Sequence, residues 1–282
     1  MTDTNSPYLI NLALTGMVPT RAMSASVPLS HQEIIDDIAP ALELGVHMLH
    51  LHARDVNGVP TSDPEPFGRL IESIRQLPGG REVLVCITTS GRNDPGFASR
   101  SRVLDLDGDM KPDMASLTLS SLNFTGQASI NAPETIRALA ARMLERGIRP
   151  ELEVFDLGMA NFLHVLIKEK LVHAPCYVNM LLGNIAGAQA NPMQFAALRQ
   201  HIPEQAVVAV AGLGHTQLTA NTLGLLFADG IRTGLEDNLW LDRERRQPAT
   251  NLALVRRAIA LADTLQRPLA SRQWVRARLG CD

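Results

Sequence analysis

No stretch of this chain approaches the roughly 18 unbroken apolar residues of a membrane span, so an integral helical membrane protein is not expected. The opening Met1-Thr2-Asp3-Thr4-Asn5-Ser6-Pro7 lacks a basic run followed by an apolar one; no secretory leader is read there, and a cytoplasmic location is expected. Charge is equally unconcentrated. The 26 Lys and Arg and 29 Asp and Glu give a formal net charge of −3, scattered along the chain, which argues against nucleic acid as a partner. Cysteine is scarce and odd in number: Cys86, Cys176 and Cys281 are too far apart for a Cys-x-x-Cys knuckle and fit no disulfide framework, and the first two read as small core residues. Low-complexity linkers are missing too, so 282 residues with 45% hydrophobic content are read as one domain over 1–282.

Short apolar stretches alternate with amphipathic ones, and Gly, Pro, Asp and Asn mark the joins. Strands are predicted at 8–15, 48–54, 83–89, 114–121, 151–156, 176–182, 206–211 and 230–235. Helices with apolar residues at three-to-four spacing are clearest at 31–44 after the cap Ser30, 133–146, 158–171, 192–201 and 252–265. Eight such units in this length match an α/β fold of the (β/α)8 TIM barrel type, with a doubly wound open sheet as the alternative.

The run His50-Leu51-His52-Ala53-Arg54-Asp55 is the most informative segment. Alternation along a strand sends His50, His52 and Arg54 to one face and Leu49, Leu51 and Ala53 to the other. Two imidazoles at i and i+2 can grip one metal ion, although paired histidines are also common as plain hydrogen-bonded residues. Function on a barrel gathers where the strands end, and those ends are rich in polar groups: Thr88, Thr89 and Ser90; Ser120, Ser121 and Asn123; Glu151, Glu153 and Asp156; Arg232, Glu236, Asp237 and Asn238. Buried polar groups need partners, so a mere scaffold has little reason to carry so many, and an enzyme is expected. Glu236 with His50 and His52 would form a His₂Glu set with an open position, as in catalytic Zn²⁺ sites. Asp237, near Arg232, would stay ionised and accept a proton from carbon. A solvated pair capping the next helix is the plainer alternative for Glu236 and Asp237.

His50-Leu-His52-Ala-Arg54-Asp55, Glu151-Leu-Glu153-Val-Phe-Asp156 and Arg232-Thr-Gly-Leu-Glu236-Asp237-Asn238 resemble the motifs of the β-keto acid cleavage enzymes. The similarity extends to Gly16, Pro19-Thr20, Asn123-Phe124 and Gly212-Leu-Gly214-His215. The resemblance implies a zinc-dependent barrel that condenses a β-keto acid with acetyl-CoA to give acetoacetate and a new acyl-CoA. It implies His50, His52 and Glu236 as zinc ligands and Asp237 as general base. Arg232 and a strand-five glutamate would orient that base; Glu153 is preferred, with Glu151 on the same face toward substrate or in a buried network with Arg54. Thr88 and Ser121 match hydroxyl positions that contact the keto acid, with Asn123 nearby. Gly212 and Gly214 offer backbone amides near which acetyl-CoA is placed, although a plain turn explains these glycines equally well.

One position departs from the family pattern. Members acting on an amino-substituted keto acid carry a glutamate where this chain has Val18, and burying an ammonium without that partner is costly. With Met17 and Met23 beside Val18, an uncharged or apolar tail is expected. A homo-oligomer, dimer or tetramer, is also expected; the segment 272–275 with Trp240 is a candidate contact, with cover for the barrel's own surface as the equal alternative for its tryptophans. Two alternatives from other classes stand beside this reading: a zinc-dependent hydrolase or aldolase on the same barrel, and a non-catalytic metabolite sensor.

Overall fold

The computed structural model describes residues 6–281, so most of the opening segment lies outside the described residues. Eight strands form a closed, fully parallel barrel: β1 (Leu9–Ala13), β2 (Met48–Leu51), β3 (Leu84–Ile87), β4 (Met114–Thr118), β5 (Arg149–Val154), β6 (Tyr177–Leu182), β7 (Val207–Gly212) and β8 (Gly230–Thr233). Each strand pairs with its sequence neighbours, and β1 closes on β8 with Asn11 opposite Arg232. All eight expected strands are present, and the open-sheet alternative is excluded by the closure.

Around the barrel run α1 (His31–Glu43), α2 (Pro64–Gln76), α3 (Phe97–Ser101), α4 (Pro133–Arg146), α5 (Leu157–Lys168), α6 (Pro192–His201), α7 (Gln217–Phe227), α8 (Asn251–Thr264) and α9 (Arg272–Leu279). The cap expected at Ser30 forms a reciprocal box: Ser30 Oγ accepts from the Glu33 amide, and the Glu33 carboxylate accepts from the Ser30 amide. A short antiparallel hairpin, Leu122–Asn123 with Ala128–Ser129, follows β4.

Alternation sorts the strand residues into two environments. Leu49, Leu51, Val85 and Ile87 point outward into the helix layer with Ile34, Ile38, Ile71 and Ile74. Inward, Leu9, Met48, Leu84, Met114, Tyr177 and Val207 fill the amino-terminal end, which α9 closes with Val275 and Leu279. Val275, expected to contribute to a subunit contact, is thus spent inside the molecule.

His47 ties that closed end together. Its Nδ1 accepts from the Ile10 amide at 3.0 Å, leaving Nε2 to donate to the Ala270 carbonyl at 2.9 Å. Burial, aided by Arg272, pushes its pKa down from 6.5 to about 4. Between those values the unfolded chain binds a proton that the folded chain refuses. Its contribution is therefore complete above pH 6.5 and declines as pH falls toward 4, by at most about 3 kcal/mol. Urea unfolding should show stability falling through that window, with a shallower fall in His47→Gln; equal slopes would remove His47 from the acid response.

Candidate active site

At the carboxyl ends of the strands lies a cavity of about 460 Å³, within the usual size of a small-molecule site. His50 stands on β2 and His52 just beyond it, their Nε2 atoms 3.2 Å apart. Glu236 reaches them from the loop after β8, with Oε1 at 3.3 Å from His52 Nε2 and Oε2 at 3.7 Å from His50 Nε2. Two glycines permit that approach. At Gly234, φ is +142° and a side chain would meet the Ala13 carbonyl at 2.0 Å; at Gly16, φ is +69° and a side chain would strike Glu236 Cγ at 2.6 Å.

The three donors lie within 4.8 Å of one another, and Glu236 Oε2 is buried without a hydrogen-bond partner. An orphaned carboxylate oxygen beside two facing imidazole nitrogens suits a divalent cation. The electrostatics agree: burial alone would lower His50, yet Glu151 and Glu236 raise it to about 9, so this pocket favours positive charge. Beneath, Glu151 Oε2 accepts from His50 Nδ1 at 2.5 Å, which fixes the tautomer that turns the Nε2 lone pair toward the cavity. Glu151 also accepts from Asn11 and Asn179 and from the Cys86 thiol at 3.0 Å. His50, Cys86 and Glu151 also cluster at metal-ligand spacing, but burial pushes the Cys86 thiol well up and keeps it a protonated donor.

Arg232 organises the acidic side. Its Nε donates to Asp237 Oδ2 at 3.0 Å, and its Nη2 to Asp237 Oδ1 at 3.1 Å and Glu236 Oε1 at 2.8 Å. The adjacent acids are driven apart. Against the opposing pull of burial, Arg232 and the two histidines hold Glu236 well below the carboxylate range. Burial, with Glu236 adding to it, raises Asp237 despite Arg232. One acid is thus fixed as an anion and its neighbour is made more basic, a division suited to ligand and base. Glu153 faces Arg232 Nη1 at 3.7 Å, accepts from Thr118 Oγ1 at 2.6 Å, and is itself raised by burial. Of the two strand-five glutamates, then, Glu153 adjoins the Arg232 group while Glu151 supports His50. The plainer alternative for Glu236 and Asp237, a solvated pair capping a helix, does not describe these buried, shared contacts.

Thr88, Val18 and Gly214 line the cavity as expected, with Val18 half exposed. Four expected contacts lie elsewhere. Glu151 is wholly buried below His50. Ser121 is exposed, its Oγ accepting from the Asn131 amide, and the side chain of Asn123 is exposed on the hairpin. Gly212 is packed under α7, where a side chain would lie 2.6 Å from Gln217 Cα. The amides expected to cradle an anion there are largely spent: Leu213 donates to the Leu182 carbonyl, Gly214 to that of Asp237 and Thr216 to that of Leu213. Met23 opens on an adjoining recess instead of the cavity itself.

Arg54 also departs from expectation. β2 ends at Leu51, so alternation no longer sets its direction, and Nη2 donates to the Gly16 and Pro19 carbonyls at 2.7 and 3.0 Å. Asp156 caps α5 by accepting from the Met159 amide. His164 bonds the His201 carbonyl on the outer helix layer, and His173 lies in a groove with Arg149 and Cys176, whereas His215 lines the cavity.

Sequence reading passed over Asn11, Ser116, Thr118, Asn179 and, above all, Arg92. Inward alternation signals Asn11 on β1 and Asn179 on β6; Arg92 follows the polar end of β3 in a loop, where no periodicity marks it.

Residues 7–281 match the family described as beta-keto acid cleavage enzyme. The chain is 33% identical over 278 residues to the 3-oxoadipate:acetyl-CoA acetyltransferase of Cupriavidus necator, a match covering 97% of this chain and 95% of that one. It is 31% identical over 264 residues to the 3-keto-5-aminohexanoate cleavage enzyme of Fusobacterium nucleatum, covering 93% and 94% respectively. Among solved structures, the ternary complex of ObcA with a C4-CoA adduct and oxalate superposes with a TM-score of 0.75 at 18% identity, over 91% of this chain and 68% of that one, a likeness of fold.

Proposed function

This chain belongs to the beta-keto acid cleavage enzymes, and from that premise we propose that it transfers an acyl group from a β-keto acid to CoA, using acetyl-CoA and releasing acetoacetate. The observation that carries the proposal is one cavity holding both a His50, His52 and Glu236 donor set and an Asp237 carboxylate clamped at both oxygens by Arg232. Names of the relatives support it: one acts with acetyl-CoA on 3-oxoadipate, another cleaves 3-keto-5-aminohexanoate.

His50, His52 and Glu236 would hold Zn²⁺, which when bound supplies Lewis-acid stabilisation of the negative charge on the enolised keto acid. Asp237 takes the proton from the carbon between carboxylate and ketone. The electron pair left there forms the new bond to the acetyl carbonyl carbon, and CoA thiolate departs. Thiolate then adds to the original ketone carbon. The bond from that carbon to the former α-carbon breaks, its electron pair is reprotonated from Asp237, and acetoacetate leaves with the shortened acid as its CoA ester. Arg232 keeps the base aimed through two hydrogen bonds, so little reorganisation is needed as the proton moves. Glu153 is a positioning residue beside Arg232, and Thr88 offers a hydroxyl to the substrate carboxylate. Acetyl-CoA enters on the Gly214 side of the mouth.

Among the described residues no helix is long and apolar enough to cross a membrane. We propose separately, from the sequence reading alone, a cytoplasmic homo-oligomer, whose size mass photometry would give.

The test is incubation of zinc-loaded protein with acetyl-CoA and a panel of β-keto acids, following acetoacetate and new acyl-CoA esters by mass spectrometry. Acetoacetate with one matching acyl-CoA is expected. 3-Keto-5-aminohexanoate should react more slowly than 3-oxohexanoate, because Val18 offers its ammonium no partner. Silence across the panel with zinc bound would overturn the reaction.

A further inference from the structure

The cavity lining carries a cation, Arg92, that the proposed chemistry leaves unused. Arg92 is half-buried, its guanidinium carbon 3.8 Å above the centre of the Phe124 ring, and Phe124 in turn stands edge-on to Phe155 at 5.8 Å. All three side chains line the cavity. The loop bearing Arg92 is held at both backbone groups: its amide donates to Ser90 Oγ and its carbonyl accepts from Gln127 of the hairpin. Among the described residues, no carboxylate lies within ion-pair distance of this guanidinium, and its buried Nε has no hydrogen-bond partner.

That is unlike the protein's other arginines that burial destabilises. Arg54, Arg100, Arg257, Arg267 and Arg272 each donate to two or more acceptors. The nearby acids are committed elsewhere, Glu236 to Arg232 and the histidines and Glu153 to Thr118. A preorganised, stacked guanidinium without a mate in a ligand cavity is built for an anion from the ligand, and its planar fork matches a carboxylate.

We propose that Arg92 is a specificity-determining residue that pairs with a second carboxylate, at the far end of the keto acid's tail, so that the preferred substrates are β-keto dicarboxylic acids. The inference rests on the reaction proposed above and replaces the uncharged or apolar tail expected from Val18 with an anionic one. Val18 offers no anion to an amino-substituted tail, whereas Arg92 offers a cation to an anionic one. The first carboxylate and the ketone flank the carbon that meets Asp237 and stay at the centre of the site. The tail is the part free to reach Arg92.

The test compares 3-oxoadipate with 3-oxohexanoate, which has the same chain length without the second charge, in the parent, Arg92→Gln and Arg92→Lys. The parent should favour 3-oxoadipate at least tenfold in kcat/KM, Arg92→Gln should lose most of that ratio, and Arg92→Lys should keep part of it. Equal loss for both acids would place Arg92 on the first carboxylate, and a raised KM for acetyl-CoA alone would place it on a CoA phosphate; either overturns the assignment while the reaction stands. If neither acid reacts, the reaction proposal fails. Thermal protection by adipate, with metal removed, then decides the anion site: protection of the parent but not of Arg92→Gln supports it, and no difference overturns it.

Discussion

Asp237→Asn should abolish turnover, by about 10³-fold or more, while leaving metal content near that of the parent, as expected when a positioned general base is removed. Asparagine keeps the shape of the side chain and one acceptor for Arg232, but its amide cannot take a proton from carbon. Arg232 retains Glu236 Oε1 at 2.8 Å, so its buried charge is not stranded and a modest loss of melting temperature is expected. The sharper readout is exchange of the substrate's α-protons in deuterated water, followed by NMR in the absence of acetyl-CoA. Exchange should vanish in Asp237→Asn together with turnover. A variant that kept turnover within tenfold of the parent would show that another group removes the proton.

His52→Ala should lose metal and activity together. Removing Nε2 reduces the donor set to His50 and Glu236 and exposes the Glu236 carboxylate to an unfilled gap. Catalytic sites hold their ion with three protein ligands, and two should not retain it through dialysis. Elemental analysis should give a metal stoichiometry far below one per chain. Glu151→Gln provides the contrast: His50 keeps its position but loses an anionic acceptor, and affinity should weaken by about 10 to 100-fold without vanishing. Stoichiometric metal in His52→Ala would disqualify this donor set.

The sequence by itself determined the barrel. Period-two strands with outward Leu, Val and Ile, joined by period-3.6 helices, leave few other ways to bury both faces of a parallel sheet. The expected strand starts lie within two residues of those observed, and the helices at 133–146 and 192–201 match at both ends. Strand ends were read too long, as at β2 and β4, because polar residues at the mouth continue an alternating pattern after pairing has stopped. His50, His52, Arg232, Glu236 and Asp237 were also legible, since each lies on a strand or within four residues of its end, where alternation and chain order limit its position.

Tertiary structure alone decided the division of labour. Glu151 and Glu153 share a face and a spacing, yet register sets one below His50 and the other beside Arg232, two residues and one layer apart. Ser121, Asn123 and Arg54 left the site and Arg92 entered it for one reason. Past the last paired residue the backbone is directed by turns and long-range hydrogen bonds, which no local period encodes, so a loop side chain finds its partners only when the whole barrel has closed around it.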